Sequence, residues 1–356
     1  MTSTSSTWAR IAQDPSLRSV LIKRAEILRA MREWFWSRGF IELDPPILAP
    51  WPSMEPHLVP LETVTHNGFG DEMRVFHHTS PEYALKKLLA AGMPDCFFLG
   101  HVFRDAEVSK LHEPEFTLAE WYRRDADYTA LMVDTEELCA DLAEALIGSP
   151  TLEWNAHHVD LTPPWERVTV ADAMRRWADV DIEPTIGDPE AFRTHAVERG
   201  HGWMRGETTT SWDELFFKLF LTVVEPRLGF DKPVILHDYP ARFGALARRK
   251  PGQPDVVERF EAYIAGVELC NAFTELTDSH EQRRRFRAEQ RERASIGVEV
   301  FPIDEDLLCA LDSLPLCAGN ALGVDRLVLL LTGETEIARV VPFPWNVLRR
   351  WNTVSS

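Results

Sequence analysis

The chain has 356 residues, 45% of them hydrophobic, enough for a large core in one or two domains. A formal net charge of −18 excludes general adhesion to nucleic acid, though not one local basic patch. Five cysteines without a CxxC pair point to reduced core thiols, not a disulfide framework or a zinc site, and no apolar run approaches the ~20 residues of a membrane span.

Residues 1–18 read as an N-terminal tail. The first seven are rich in Ser and Thr and lack the apolar stretch of a secretory signal. Residues 21–38 carry a helical stripe (Leu21, Ile22, Ala25, Leu28, Met31, Phe35), and Gly39 is the expected stop. Residues 40–48 predict a strand ending at Pro45 and Pro46. Ser80 or Thr79 is a fair N-cap for a helix over 84–91, Pro81 suits its first turn, and Glu82 gains from the helix dipole. His77 and His78 lack a third ligand at metal spacing and read as packing residues.

The apolar run Cys96–Phe103 predicts a buried strand. Phe116, Leu118, Glu120 and Tyr122 alternate onto one face of a second strand. The two would pair as a hairpin whose charged loop, 105–114, exceeds the usual roughly two to five residues. Glu120 shares its face with Phe116 and Leu118, so a buried carboxylate is expected there, and it needs a cation or hydrogen-bond donors.

Residues 129–147 read as helix. Residues 150–235 carry no legible chemistry, with helices near 189–198 and 212–224; their place in the chain suggests an insertion. Val234–Pro240 reads as a strand. Within 266–278, Glu268 and Glu275 lie among apolar neighbours. On a straight strand they would face opposite sides ~23 Å apart, sharing a ligand only across a bend. Residues 280–295 form an Arg-rich helix (Arg283, Arg284, Arg285, Arg287, Arg291, Arg293), either a solvated face or a contact for an acidic partner. Glycines at 319 and 323 precede an apolar helix, a junction that lets an anion approach backbone N–H groups.

FRDAE…HEPEFTLAEWYR, from Phe103 to Arg123, resembles motif 2 of the class II aminoacyl-tRNA synthetases in the form of the lysyl subgroup. In the same order, residues 21–48 are similar to motif 1, SPEY with Lys-Lys-Leu-Leu to the amino-acid pocket, and AGNALGVDRL to motif 3; a run like 234–250, ending LARRK, sits beside the active site in lysyl enzymes. The resemblance covers roughly residues 21–344. It implies an α+β fold, a mainly antiparallel sheet flanked by helices over 19–348, and a homodimer joined through motif 1. It also implies ATP and Mg²⁺ as cofactors. Arg104 would be the catalytic cation on the α-phosphate and the substrate carboxylate, and Arg326 the one on the γ-phosphate. Glu107, Glu113, Glu268, Leu269 and Gly323 would complete the ATP site. Ser80, Glu82, Tyr122 and Glu275 would hold the amino acid, with Phe97, Phe98 and Phe103 as apolar walls. Glu268 and Glu275 would be the metal ligands.

Three departures stand out. Arg104-Asp105-Ala106 replaces the family's Arg-Asn-Glu, so Glu107 is the expected substitute on adenine. His112-Glu113-Pro114-Glu115 replaces His-Asn-Pro-Glu, and Asn271-Ala272-Phe273 replaces Asn-Gly-Phe. Only about 20 residues precede the motif 1 helix, below the ~50 of a domain, so no anticodon-binding domain is expected. The whole resembles the elongation factor P lysine ligase family, cytoplasmic enzymes that attach lysine or (R)-beta-lysine to a lysine side chain of elongation factor P. On that reading the partner is elongation factor P, and tRNA is not. The alternatives are a truncated synthetase paralogue that charges tRNA and a regulatory paralogue that only binds.

Overall fold

The computed structural model describes residues 7–208 and 211–352, without the side chains of residues 350–352. Helix α1 (Thr7–Gln13) and helix α2 (Pro15–Ser37) occupy most of the expected tail; residues 1–6 of that tail lie outside the described residues. Asp14 explains the early start. Its carboxylate accepts from Leu17 N at 3.0 Å, and Pro15 fits the first turn. Gly39, with φ of +83°, reverses the chain after α2.

The single strand expected over 40–48 is two short pieces, β1 (Ile41–Glu42) and β2 (Leu48–Ala49), because Pro45 and Pro46 between them offer no ladder donors. β2 joins β3 (Glu62–His66) and β4 (Glu72–His77) in a small sheet. Helix α3 (Glu82–Ala90) leads to β5 (Cys96–Phe103) and β6 (Glu115–Arg124), paired from Cys96↔Tyr122 to Phe103↔Glu115 as the alternation predicts. Helix α4 (Tyr128–Ile147) follows.

The hairpin β7 (Thr151–Trp154) and β8 (His157–Asp160) precedes β9 (Glu166–Thr169). Helices α5 (Val170–Ala178), α6 (Pro189–Glu198) and α7 (Trp212–Leu219) then build an apolar cluster around Phe192, Trp212 and Phe216. This segment is fused to the main sheet, since β9 runs parallel to β10 (Val234–Pro240). The remaining elements are β11 (Arg249–Lys250), β12 (Gln253–Ile264), β13 (Val267–Thr274), α8 (Ser279–Ser295), α9 (Glu305–Leu311), β14 (Cys317–Gly323), α10 (Val324–Thr332) and α11 (Trp345–Asn352).

The main sheet runs β1-β5-β6-β14-β13-β12-β10-β9, with β11 on β12. Its two outermost pairs are parallel and the rest antiparallel. One face packs on α2, α4 and α10, where Phe35 stacks on Phe97 at 4.6 Å and lies 5.4 Å from Trp121. Phe97 therefore belongs to the core and walls no pocket. Leu118 and Tyr122 face the other way, toward α3, α8 and α9.

Helix α8 is less available than its composition suggests. Arg285 donates to the Ala247 carbonyl, Arg293 to those of Glu299 and Glu55, and Arg283 pairs with Glu305. Arg287 and Arg291 remain exposed and make no hydrogen bond or salt bridge among the described residues, although Arg287 lies within the electrostatic reach of Glu305.

One buried pair ties three segments together. Asp325, in the first turn of α10, is salt-bridged to Arg24 of α2 at 2.5 Å and accepts from Thr117 N of β6 at 3.1 Å. Arg24 also donates to Thr117 Oγ1 at 2.7 Å. Asp325→Ala should cost about 3–5 kcal/mol, because it strands Arg24 away from water. Urea denaturation would check this, and a loss below about 1 kcal/mol would show that the pair does not hold these segments.

Candidate active site

The open face of the sheet has an acidic end and a basic end. At the acidic end, Ser80 accepts from Glu82 N at 3.0 Å and donates to Glu120 Oε2 at 2.6 Å. Ser80 thereby serves the first turn of α3, although Pro81 is the residue at the cap. The other Glu120 oxygen accepts from Tyr122 OH at 2.8 Å. Glu120 is 2% exposed, so two hydroxyls, not a cation, answer the need seen in the sequence. Burial and the charge of Glu82 push its carboxyl up to about 7.

Glu82 and Glu275 each place an oxygen 2.5 Å from Lys86 Nζ, deep in the protein. Burial alone would depress this ammonium, but the two carboxylates carry it above the ordinary lysine range. Gly319 of β14 passes beneath. A Cβ there would meet Glu275 Oε1 at 2.6 Å and the Tyr122 ring closer still. Phe243 and Phe273 line the cavity above. Phe98 packs against His78, and Phe103 lines a separate groove with His77, so neither serves as the expected wall.

At the basic end, the Arg104 guanidinium lies over the Phe116 ring at 5.2 Å. Arg326, in the first turn of α10, donates to the Glu268 carbonyl at 2.8 Å and to His112 Nε2 at 2.7 Å. Burial, then the charges of Arg326 and Arg104, hold His112 at about 4, so its ring is neutral and can accept. The two cations expected from motifs 2 and 3 thus converge around one histidine, and a shared anion is the ligand such a pair accommodates. Gly323 brings the backbone close to Arg326, and a Cβ would lie 3.5 Å from Arg326 Cδ. Leu269 is buried in the core, so only its backbone can face this site.

Of two further expected ATP contacts, one is committed elsewhere. Glu113 accepts from Trp345 N at 2.7 Å, satisfying the start of α11, and lines the separate groove. Its side chain is committed to the fold. Glu107 follows Ala106, whose φ is +62°, and makes no hydrogen bond or ion pair among the described residues.

The expected metal pair is also rearranged. Tyr263 is paired with Glu268, and the preceding Ala262 with Cys270, so Leu269 is an extra residue, a β-bulge. The bulge puts Glu268, Asn271, Phe273 and Glu275 on one face, yet the two glutamates stay ~20 Å apart along the strand. Glu275 is taken by Lys86. The carboxylates that neighbour Glu268 include Glu225 and, in β12, Glu261, which accepts from Arg259 at 2.7 Å and from Tyr239 and Tyr263 hydroxyls at 2.6 Å each. Burial, then the charge of Glu261, raises the Glu268 carboxyl above its usual range. Both Glu261 oxygens already accept hydrogen bonds, whereas Glu268 Oε2 lies 3.6 Å from Arg326 and accepts none. Among the described residues no group of three or more His, Cys, Asp or Glu is placed to hold a metal, and Glu268 is the expected ligand whose oxygens remain available to Mg²⁺, an ion that keeps water and phosphate oxygens as its other ligands. Glu261 had a signal in the alternation Arg259, Glu261, Tyr263, and Lys86 had one in its i, i+4 spacing from Glu82.

Gly319→Ala should raise the KM for the amino acid at least tenfold with a smaller change for ATP, since the new methyl displaces Tyr122 and Glu275. Steady-state kinetics would check it, and equal changes in both constants would refute it. Glu120 carries a pH signature. Between about pH 4.5 and 7 the unfolded carboxyl loses its proton while the folded one keeps it, so its contribution to stability falls as pH rises. Glu120→Gln should flatten the fall in urea midpoint over this range, and parallel curves for the two proteins would exclude the assignment.

A family profile for tRNA synthetases class II (D, K and N) matches residues 2–347. The chain is 36% identical over 335 residues to the lysine–tRNA ligase of Moorella thermoacetica, covering 93% of this chain and 66% of that one. It is 36% identical over 326 residues to the elongation factor P–(R)-beta-lysine ligase of Proteus mirabilis, covering 91% and 94%. It is 37% identical over 325 residues to the protein of that name from Photorhabdus laumondii, again covering 91% and 94%. The chain thus spans about two thirds of the length of the lysine–tRNA ligases it matches. With the motif 2 hairpin, the motif 3 arginine and the antiparallel sheet between them in place, the chain belongs to the tRNA synthetases class II (D, K and N).

Proposed function

We propose that this protein activates lysine or (R)-beta-lysine with ATP and transfers it to a lysine side chain of elongation factor P. One observation carries the reading. Glu82 and Glu120 line the same cavity as Arg104, with Glu275 buried behind it, and Arg104 and Arg326 both act on His112, so a ligand there runs between carboxylates and guanidinium groups. A substrate with amines at one end and a carboxylate at the other fits along that axis.

Two anions must meet in the first step, the substrate carboxylate and the α-phosphate. Arg104 reduces their repulsion, and Arg326 takes up charge on the departing pyrophosphate. Mg²⁺, with Glu268 as a ligand, would supply further neutralisation of the phosphates. The carboxylate oxygen bonds to the α-phosphorus as the bond to the β-phosphate oxygen breaks. The acceptor amine then attacks the adenylate carbonyl, loses a proton and releases AMP. No protein nucleophile is needed.

Three observations support elongation factor P as the acceptor. The Proteus and Photorhabdus relatives, matched over more than nine tenths of both lengths, are named as elongation factor P ligases. A net charge of −18 opposes the phosphate contacts that bind nucleic acid. Exposed Arg287 and Arg291 offer a small docking face to an acidic partner. The reading includes a cytoplasmic homodimer joined through α2; no described helix is long and apolar enough to cross a membrane. The Moorella relative favours the second reading, in which the acceptor is tRNA.

Wild-type protein with either amino acid and Mg²⁺ should exchange labelled pyrophosphate into ATP. Arg326→Ala should lower that rate at least roughly tenfold, since a charge-assisted hydrogen bond contributes ~1.5–3 kcal/mol. Elongation factor P should gain one lysyl or beta-lysyl mass. Acid-precipitable charging of tRNA with elongation factor P unmodified would establish the second reading instead.

A further inference from the structure

Three carboxylates meet at the acidic end, and their chemistry is unequal. Glu120 is held by the Ser80 and Tyr122 hydroxyls, which are neutral donors. Glu82 and Glu275 instead share one ammonium, Lys86 Nζ, at 2.5 Å from each. The Lys86 side chain is 2% exposed and that of Glu275 is fully buried. Such a pair is not a solvated surface contact. Removing one member strands the other in a medium that tolerates charge poorly.

Lys86 has no free path to water. It projects from the turn of α3 after Glu82, with the Phe273 ring 5.5 Å away. Phe273 and Glu82 line the cavity, while Lys86 and Glu275 lie behind its wall. Lys86 therefore acts on a ligand through Glu82, which lines the cavity, and through the buried Glu275 that shares its ammonium, not by touching the ligand.

The charge count has a consequence. Fully ionised, three carboxylates and one ammonium carry a charge of −2; burial raises the Glu120 and Glu275 carboxyls to about 7 and about 8, so cationic groups brought by a ligand favour that ionised state. A diamino acid brings two ammonium groups, while its carboxylate is drawn to Arg104 and Arg326. We propose that Lys86 is a positioning and specificity-determining residue. It fixes the Glu82 and Glu275 carboxylates against each other and sets the charge of the pocket to that of a substrate with two amines. This deepens the lysine or beta-lysine reading above and rests on it.

Without the ammonium, Glu82 and Glu275 repel each other and lose their shared anchor. Affinity for the diamino acid and its preference over an uncharged analogue should then fall together. The chemical step should change less, because the reacting carboxylate is at the other end.

The test uses full-length Lys86→Met and Lys86→Ala in pyrophosphate exchange with lysine, beta-lysine and norleucine. Each is run with and without propylammonium, which replaces the atoms lost in the alanine variant, and with propanol as the neutral control. The expected result is a KM for the diamino acid raised at least tenfold with kcat within threefold. The preference over norleucine should drop, and propylammonium, not propanol, should restore the alanine variant. If the methionine variant fails to fold, the alanine variant should recover its thermal transition and its KM with propylammonium alone. Wild-type KM and preference in either variant, or losses indifferent to propylammonium, overturn the proposal. Wild-type protein that exchanges with neither diamino acid would reject the functional reading itself, a result distinct from failure of the Lys86 variants.

Discussion

Burying carboxylates is the constraint that orders this molecule. A carboxylate taken from water must find donors or a cation, and each buried one here recruits its own set. Glu120 fixes where Ser80 and Tyr122 must be, which in turn fixes how α3 meets β6. Glu275 requires Lys86, so α3 is also pinned to the end of β13. The same crowding explains Gly319, where no side chain fits between Tyr122 and Glu275. Helix, strand and glycine are held by one electrostatic demand.

The opposite end answers a complementary demand. Arg104 and Arg326 both bear on His112, which stays neutral and accepts from Arg326. Asp325 meets Arg24 on the far side of the sheet, so the turn that presents Arg326 is anchored from below. The groove is therefore polarised along its length. That axis suits a substrate that is cationic at one end and must meet a polyphosphate at the other.

Local patterns in the sequence were enough for much of this. Period-two alternation found the β5–β6 hairpin and the buried Glu120, and the helices α4, α6 and α8 lie close to where periodicity put them. The motif resemblance carried Ser80, Glu82, Tyr122, Arg104 and Arg326 to one face. Failures came where the answer was not local. Asp14-Pro15 was overlooked as a helix start because the apolar stripe begins later. Glu113 faces the start of α11, a partner more than two hundred positions away that no window contains. Glu261 and Lys86 were missed because each matters through a neighbour set by register or by packing between elements.

The bulge at Leu269 leaves its own trace in the linear sequence. In an unbroken strand, residues displayed on one side are separated by even numbers. Glu268 and Glu275 face the same way across an odd interval, and so do Glu268 and Asn271. The interval is a parity error, and one inserted residue corrects it. Deleting Leu269 would restore an even interval, and the same side chains would share one face without a bulge. In this segment the count of residues carries structural information that their identities do not, and odd spacing between polar groups in an otherwise apolar strand is the written form of a bulge.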